Sequence, residues 1–265
     1  MKLVRPLFVF PLIVAAGLST MSMDMPENPP VPEQRPDDLE PAAGQEESAQ
    51  PAKPASENTG EDAKVSETVA PEDPAPPMED DGEFARCTAA LTALGVEYEV
   101  LETIDDPGQC GIGRPLSVTM AADGVPLQPA GTMRCKTALA LANWLTAYVA
   151  PSAEIAFGAG TKLTEVRQAS TYVCRNRNSR SDGKISEHAR GNAVDIRSLS
   201  FSNGKTIDMV PRRKDGSLTG AFQRTASASA CLFFSTVLSP GSDATHQDHM
   251  HLDVIERSRG YRYCR

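Results

Sequence analysis

The chain has four histidines, His188, His246, His249 and His251, and their placement is not scattered. Three stand within six residues, and the fourth is followed seven positions later by Asp195. Imidazole and carboxylate are the ligands zinc takes where thiolates are absent, and three protein ligands would leave a fourth position for water, the arrangement of catalytic sites. None of the six cysteines is spaced Cys-x-x-Cys, so a thiolate or redox motif is not signalled. His188 and Asp195 are too far apart for one helical turn. Gly191 and Ala193 between them point to a tight bend where the backbone passes close to the site. His249-Met250-His251 would put two imidazoles on one face of a strand, because side chains alternate with period two. Asp248 faces away if the strand is regular there, and can turn back if residues 246–248 are loop.

The elements that must position these residues are a mixture of helix and strand. Cys87 to Leu94 reads as a short helix ended by Gly95, and Val96 to Ile104 alternates as a strand. Leu116-Ser117-Val118 and Val125-Pro126-Leu127 flank an Asp123-Gly124 turn. Lys136 to Val149 has helical spacing, with Pro151 expected to stop it. Thr161 to Cys174 reads as strand, Phe222 to Leu238 as a second long helix, and His251 to Ile255 as a closing strand. There is no βαβ rhythm and no repeat. The fold class expected is α+β, with a small, mainly antiparallel sheet and flanking helices.

Composition divides the 265 residues into three zones. Residues 1–23 have two early positive charges, Lys2 and Arg5, then an apolar run, the pattern of a secretory signal. Pro6 and Pro11 and the short length argue against a stable membrane span. Residues 24–81 carry 17 acidic and 3 basic side chains, many prolines and no aromatic residue. Such a segment buries too little to fold and is expected to be a disordered linker. Residues 82–265 carry +3 of the overall −9 and hold every cysteine and histidine. No cationic cluster interleaved with aromatics is present, so nucleic acid is not an expected partner. The run Arg212-Arg213-Lys214 reads as a solvated loop. Export, periplasmic or to the cell envelope, implies that Cys87, Cys110, Cys135, Cys174, Cys231 and Cys264 form three disulfides. Cys135 and Cys231, both on amphipathic helical stretches, are the pair expected to meet.

The pattern Ser186-x-His188-x-x-Gly191-x-Ala193-x-Asp195, followed later by His249-x-His251, resembles the zinc peptidase superfamily of D-alanyl-D-alanine carboxypeptidases, murein endopeptidases and hedgehog domains. More closely, residues 85–264 resemble the bacterial extensin-like C-terminal domain family. Ser170 to Arg175, Ser186 to Ala189, Gly191 to Ala193, His246-x-Asp248-His249-x-His251 and Tyr263-Cys264 carry that likeness. The resemblance implies a hedgehog-like fold, zinc on His188, Asp195 and His251, and His249 in the site without being the main ligand. Many carboxypeptidase members place Glu three residues before the last ligand, where this chain has Asp248. His246 and His249 instead repeat the His-x-x-His-x-His spacing of some endopeptidases. The general base is therefore open among Asp248, His246 and His249.

The expected function is a zinc metallopeptidase acting on peptidoglycan peptides outside the cytoplasm. The alternative is a non-catalytic zinc-stabilised module that binds peptidoglycan or an envelope protein. Arg175 is the candidate for a substrate carboxylate or the developing oxyanion, since a guanidinium matches a carboxylate bidentately. Ser186 is expected to hydrogen-bond a ligand or backbone rather than act as a nucleophile, because the sequence shows no acid–histidine pair free of the metal to activate it.

Overall fold

The computed structural model describes residues 78–265. The expected signal segment, and the expected linker as far as residue 77, lie outside the described residues. In chain order the elements are α1 (Asp81–Ala93), β1 (Glu97–Val100), β2 (Ile104–Asp105), β3 (Gly111–Ile112), β4 (Pro115–Ala122) and β5 (Val125–Arg134). Next come α2 (Cys135–Trp144), a π-helical turn (Leu145–Val149), α3 (Ala150–Phe157), β6 (Leu163–Ser170), a 3₁₀ turn (Glu187–Arg190) and β7 (Ala193–Phe201). The chain ends with β8 (Thr206–Asp208), α4 (Leu218–Ala230), β9 (Thr236–Leu238), β10 (Met250–Asp253) and β11 (Tyr263–Cys264). Among the described residues no helix is long and apolar enough to cross a membrane.

The sheet is larger than the small one expected. Nine strands run in the order β1-β4-β5-β6-β7-β10-β9-β11, with β8 also on β7. Only β5 with β6 and β9 with β11 pair in parallel. The excess lies in strands of two to four residues, which are too short to show alternation in a sequence.

Helix boundaries differ from expectation for identifiable reasons. Pro151 does not stop the second helical stretch. The turn before it widens, with the Ala150 N–H donating to the Leu145 carbonyl. A shift to wider turns lets the helix carry a residue that has no N–H and crowds the preceding carbonyl. The helix ends instead at Gly158. The stretch from Phe222 to Leu238 is not one helix. It breaks at Cys231, and β-branched Thr236 and Val237 join the sheet. The solid apolar run Cys231 to Phe234 has no period of its own, so pattern alone does not divide it.

Helices and strands share one apolar core that includes Trp144, Leu127, Ile196, Leu199 and Phe234. Trp144 is fully buried and its Nε1–H donates to the Ala226 carbonyl at 3.0 Å, joining α2 to α4. Three disulfides form, Cys87–Cys135, Cys110–Cys174 and Cys231–Cys264. The expected pair Cys135–Cys231 is thus overturned. The two helices do meet, but at Trp144, while Cys135 at the start of α2 faces α1 and Cys231 faces the terminal strand.

Candidate metal centre

Asp195 and His251 are cross-strand partners, Asp195 on β7 and His251 on β10. Both strands lie inside the sheet, where register is fixed by the buried face, so their relation tolerates no slip. His188 comes from the 3₁₀ turn just before β7. Ser186 caps that turn, its Oγ accepting from the His188 N–H at 3.3 Å. Gly191 ends it at φ +64°, and its carbonyl accepts from the Arg134 N–H and the Thr137 hydroxyl. Asn192 braces the turn from within: its side chain donates to Glu187 at 2.9 Å and accepts from Arg134 at 3.0 Å. Arg134 in turn pairs with buried Glu79 at 2.7 Å. The fold therefore engages residues slightly ahead of the expected boundary at Gly82.

These elements bring three atoms together. His188 Nε2 lies 3.2 Å from Asp195 Oδ1 and 3.1 Å from His251 Nδ1, and His251 Nδ1 lies 2.9 Å from Asp195 Oδ1. A tetrahedral zinc with bonds of about 2.05 Å spaces its ligands roughly 3.3 Å apart, so the triangle fits one face of its coordination shell. The other ring nitrogens are committed elsewhere. His188 Nδ1 faces the Thr171 carbonyl at 2.6 Å, and a carbonyl only accepts, so the proton sits on Nδ1 and the lone pair on Nε2. His251 Nε2 faces Asp253 Oδ2 at 3.2 Å, which sets its proton there and turns Nδ1 inward. Two imidazole lone pairs and a carboxylate oxygen at such separations repel unless a cation lies among them. A proton or a metal ion can serve.

The electrostatics agree. Burial alone would raise the Asp195 carboxyl, but hydrogen bonds from His188 and His251 and their charge hold it far below the usual carboxylate range. Burial would lower the His251 imidazolium, yet Asp195 and Asp253 together raise it to about 9. Asp253 is nearly inaccessible and is likewise held below its ordinary value: burial would raise it, and the hydrogen bond and charge of His251 outweigh that.

The trio lies in a cleft of about 330 Å³ that is also lined by Arg175, Ser186, His246, His249 and Arg257. His249 precedes β10, and its Nε2 is 3.8 Å from Asp195 Oδ2, the oxygen turned away from the trio. His246 is buried, its ring centre 5.8 Å from that of His251. Its Nδ1 faces Asp243 Oδ1 at 2.7 Å, and its Nε2 has no partner among the described residues. Burial lowers the His246 imidazolium more than Asp243 raises it. Asp243 is pushed down to about 2: burial would raise it, and hydrogen bonds from His246 and Thr245 prevail.

A family model of the extensin-like protein C-terminus matches residues 85–265. The chain belongs to that family. No curated protein and no solved structure matches it.

Not every expected site residue reaches the cleft of this extensin-like domain. Asp248 turns outward. It forms an ion pair with Arg197 and accepts from His249 Nδ1, and these two partners hold its carboxyl below the ordinary value. Arg175 does line the cleft, and it has no carboxylate partner among the described residues, whereas Arg177 pairs with Glu187 at 3.5 Å. The Oγ of Ser186 is engaged in capping. Two contributors were not foreseen. Asp253 was legible, since it follows His251 by two residues and so shares its strand face. The pair Asp243–His246 is an acid–histidine pair outside the trio, contrary to expectation. Its three-residue spacing in a loop carries no periodic signal.

Proposed function

We propose that this domain is an exported zinc hydrolase that cleaves peptide bonds of cell-wall peptidoglycan, on a fold of the hedgehog and D-alanyl-D-alanine peptidase type. The observation that carries the reading is the convergence of His188 Nε2, Asp195 Oδ1 and His251 Nδ1, with both imidazole tautomers set from behind by Thr171 and Asp253. Zinc bound there would supply Lewis acidity toward a substrate carbonyl and lower the pKa of a water. The remaining work falls to the chain's own side chains. Asp243 accepts the Nδ1–H of His246 and so leaves Nε2 as the basic atom facing the cleft. His246 Nε2 takes the proton of the attacking water and returns it to the leaving amine. His249 stands beside the outer oxygen of Asp195, its Nδ1–H donated to Asp248. Arg175, free of any carboxylate among the described residues, holds the negative charge of the substrate. Asp248 is a poor base by comparison, because Arg197 and His249 stabilise its charged form. Complete pairing of the six cysteines suits an oxidising compartment.

The rival reading, a zinc-stabilised module that binds peptidoglycan or an envelope protein without cleaving it, draws on the outward turn of Asp248, the position where carboxypeptidase relatives carry their base. One experiment separates the two. His246→Gln keeps size and polarity but removes the basic nitrogen. It should retain stoichiometric zinc and lose roughly 100-fold or more in the rate of fragment release from peptidoglycan, while Asp248→Asn stays within about threefold. Undiminished release by His246→Gln refutes the assignment of the base. Wild type that is zinc-loaded, binds peptidoglycan and releases nothing decides for the module.

A further inference from the structure

A second cavity of about 930 Å³ opens beside the metal cleft, lined by the Cys110–Cys174 disulfide, the loop from Arg175 to Ile185, and residues of the 3₁₀ turn. The two cavities share Arg175, Arg177 and Glu187. The two cavities therefore meet at these residues. The charge of that cavity is one-sided. Arg175, Arg177, Lys184 and Arg190 line it against the single carboxylate of Glu187, which is already committed to Arg177 and Asn192. Arg175, Lys184 and Arg190 have no carboxylate partner among the described residues. Arg190 donates one Nη2–H to Gln109 at 2.7 Å, but its Nε is buried with no acceptor among the described residues. Ile185 and Ile255 add aliphatic wall between the cations.

We propose that this cavity is a substrate subsite for carboxylate-bearing residues of the peptide, flanking the residues held over the metal trio. It rests on the peptidase reading only for the direction in which the chain runs. The three cations without carboxylate partners define an acceptor-seeking site in their own right. A carboxylate on a short aliphatic stem satisfies both the isoleucine wall and the guanidinium and ammonium donors. Charge-assisted pairing of this kind selects acidic over amide side chains.

The test uses the full chain with zinc added and two labelled peptides, Ala-Glu-Ala-Glu-Ala-Ala and its Gln twin, in fluorescence anisotropy. The Glu peptide should bind about tenfold more tightly than the Gln peptide, as expected for charge-assisted over neutral hydrogen bonds. Lys184→Glu and Arg190→Gln should each reduce that ratio to roughly threefold or less. The Lys184 side chain is exposed and makes no protein contact that the fold depends on, so Lys184→Glu remains decisive even where Arg190→Gln fails to fold. Equal affinity for the two peptides overturns the proposal, as does a ratio that neither variant changes. Inorganic tripolyphosphate that competes as strongly as the Glu peptide, and is equally sensitive to Lys184→Glu, overturns it in favour of a general anion patch. Cleavage of both peptides without charge preference leaves the hydrolase reading intact and removes this one. Charge preference without cleavage of any peptide does the reverse.

Discussion

Gly191→Ala tests whether the turn that carries His188 is held by backbone geometry. Gly191 sits at φ +64°, and a Cβ built on it would meet Ile112 Cδ1 at 2.4 Å, Ile112 Cγ1 at 2.9 Å and the Arg134 nitrogen at 3.1 Å. The left-handed conformation costs an L-residue about 1–2 kcal/mol. Ile112 is fully buried, so the overlap is relieved only by moving core atoms, at about 1–3 kcal/mol. The sum is roughly 2–5 kcal/mol of lost stability, readable as a lower urea midpoint at unchanged slope. The two parts separate in a double variant. Ile112→Val removes the atom at 2.4 Å and by itself costs about 0.5–1.5 kcal/mol. Combined with Gly191→Ala it should restore about 1 kcal/mol relative to the sum of the single losses, because only the steric part is shared. Zinc affinity should fall in Gly191→Ala, since the Gly191 N–H donates to the His188 carbonyl and any shift carries the ligand with it. A Gly191→Ala domain within about 0.5 kcal/mol of wild type, the level of an ordinary surface change, refutes the reasoning. Strict additivity in the double variant refutes the steric half of it.

Two further outcomes are expected at the trio. Asp253→Asn should weaken zinc binding about 10–100-fold by isothermal titration, the scale of losing a carboxylate behind a ligating histidine, and Asp253→Ala should weaken it further because His251 Nε2 is then buried without an acceptor; unchanged affinity in both would show that Asp253 does not orient His251. The folded, metal-free protein holds a proton on His251 up to about pH 9. The stabilisation from that raised value is fully present below about pH 6.5 and is lost as pH rises through about 9, and zinc must displace the same proton. Zinc affinity should therefore rise by about tenfold per pH unit between about pH 6.5 and 9 and then level off, and a flat profile over that range would remove the proton from the site.

The sequence disclosed which residues cluster more fully than the architecture that gathers them. Scarcity singles the residues out: of four histidines in the chain, three lie within six residues, and the structure brings His188, Asp195 and His251 within reach of one another. The period-two rule put His249 and His251 together and would have added Asp253 had it been carried two residues further. What stayed hidden is whatever depends on contact between distant segments. The outward turn of Asp248 is decided by Arg197, 51 residues away on β7. The disulfide partner of Cys135 is decided by how α1 meets α2. The short strands β8, β9 and β11 owe their state to an existing sheet edge rather than to their own composition.

The placement of the trio also explains why the site needs so little dedicated structure. Asp195 and His251 face each other across β7 and β10, whose other residues Val194, Ile196, Met250 and Leu252 are buried in the core. A slip of one residue in either strand would turn core side chains outward and bury the Asp195 or His251 side chain in their place. The apolar packing that stabilises the sheet thus fixes the backbone positions of both residues, and Asp253 then sets the ring of His251. Only His188 stands outside this register, and the polar braces are concentrated around it: the Ser186 cap, the Asn192 bonds to Glu187 and Arg134, and the Thr171 carbonyl. Substitutions among those braces should therefore loosen the metal while the sheet persists, whereas substitutions in the β7–β10 core should cost fold and site together.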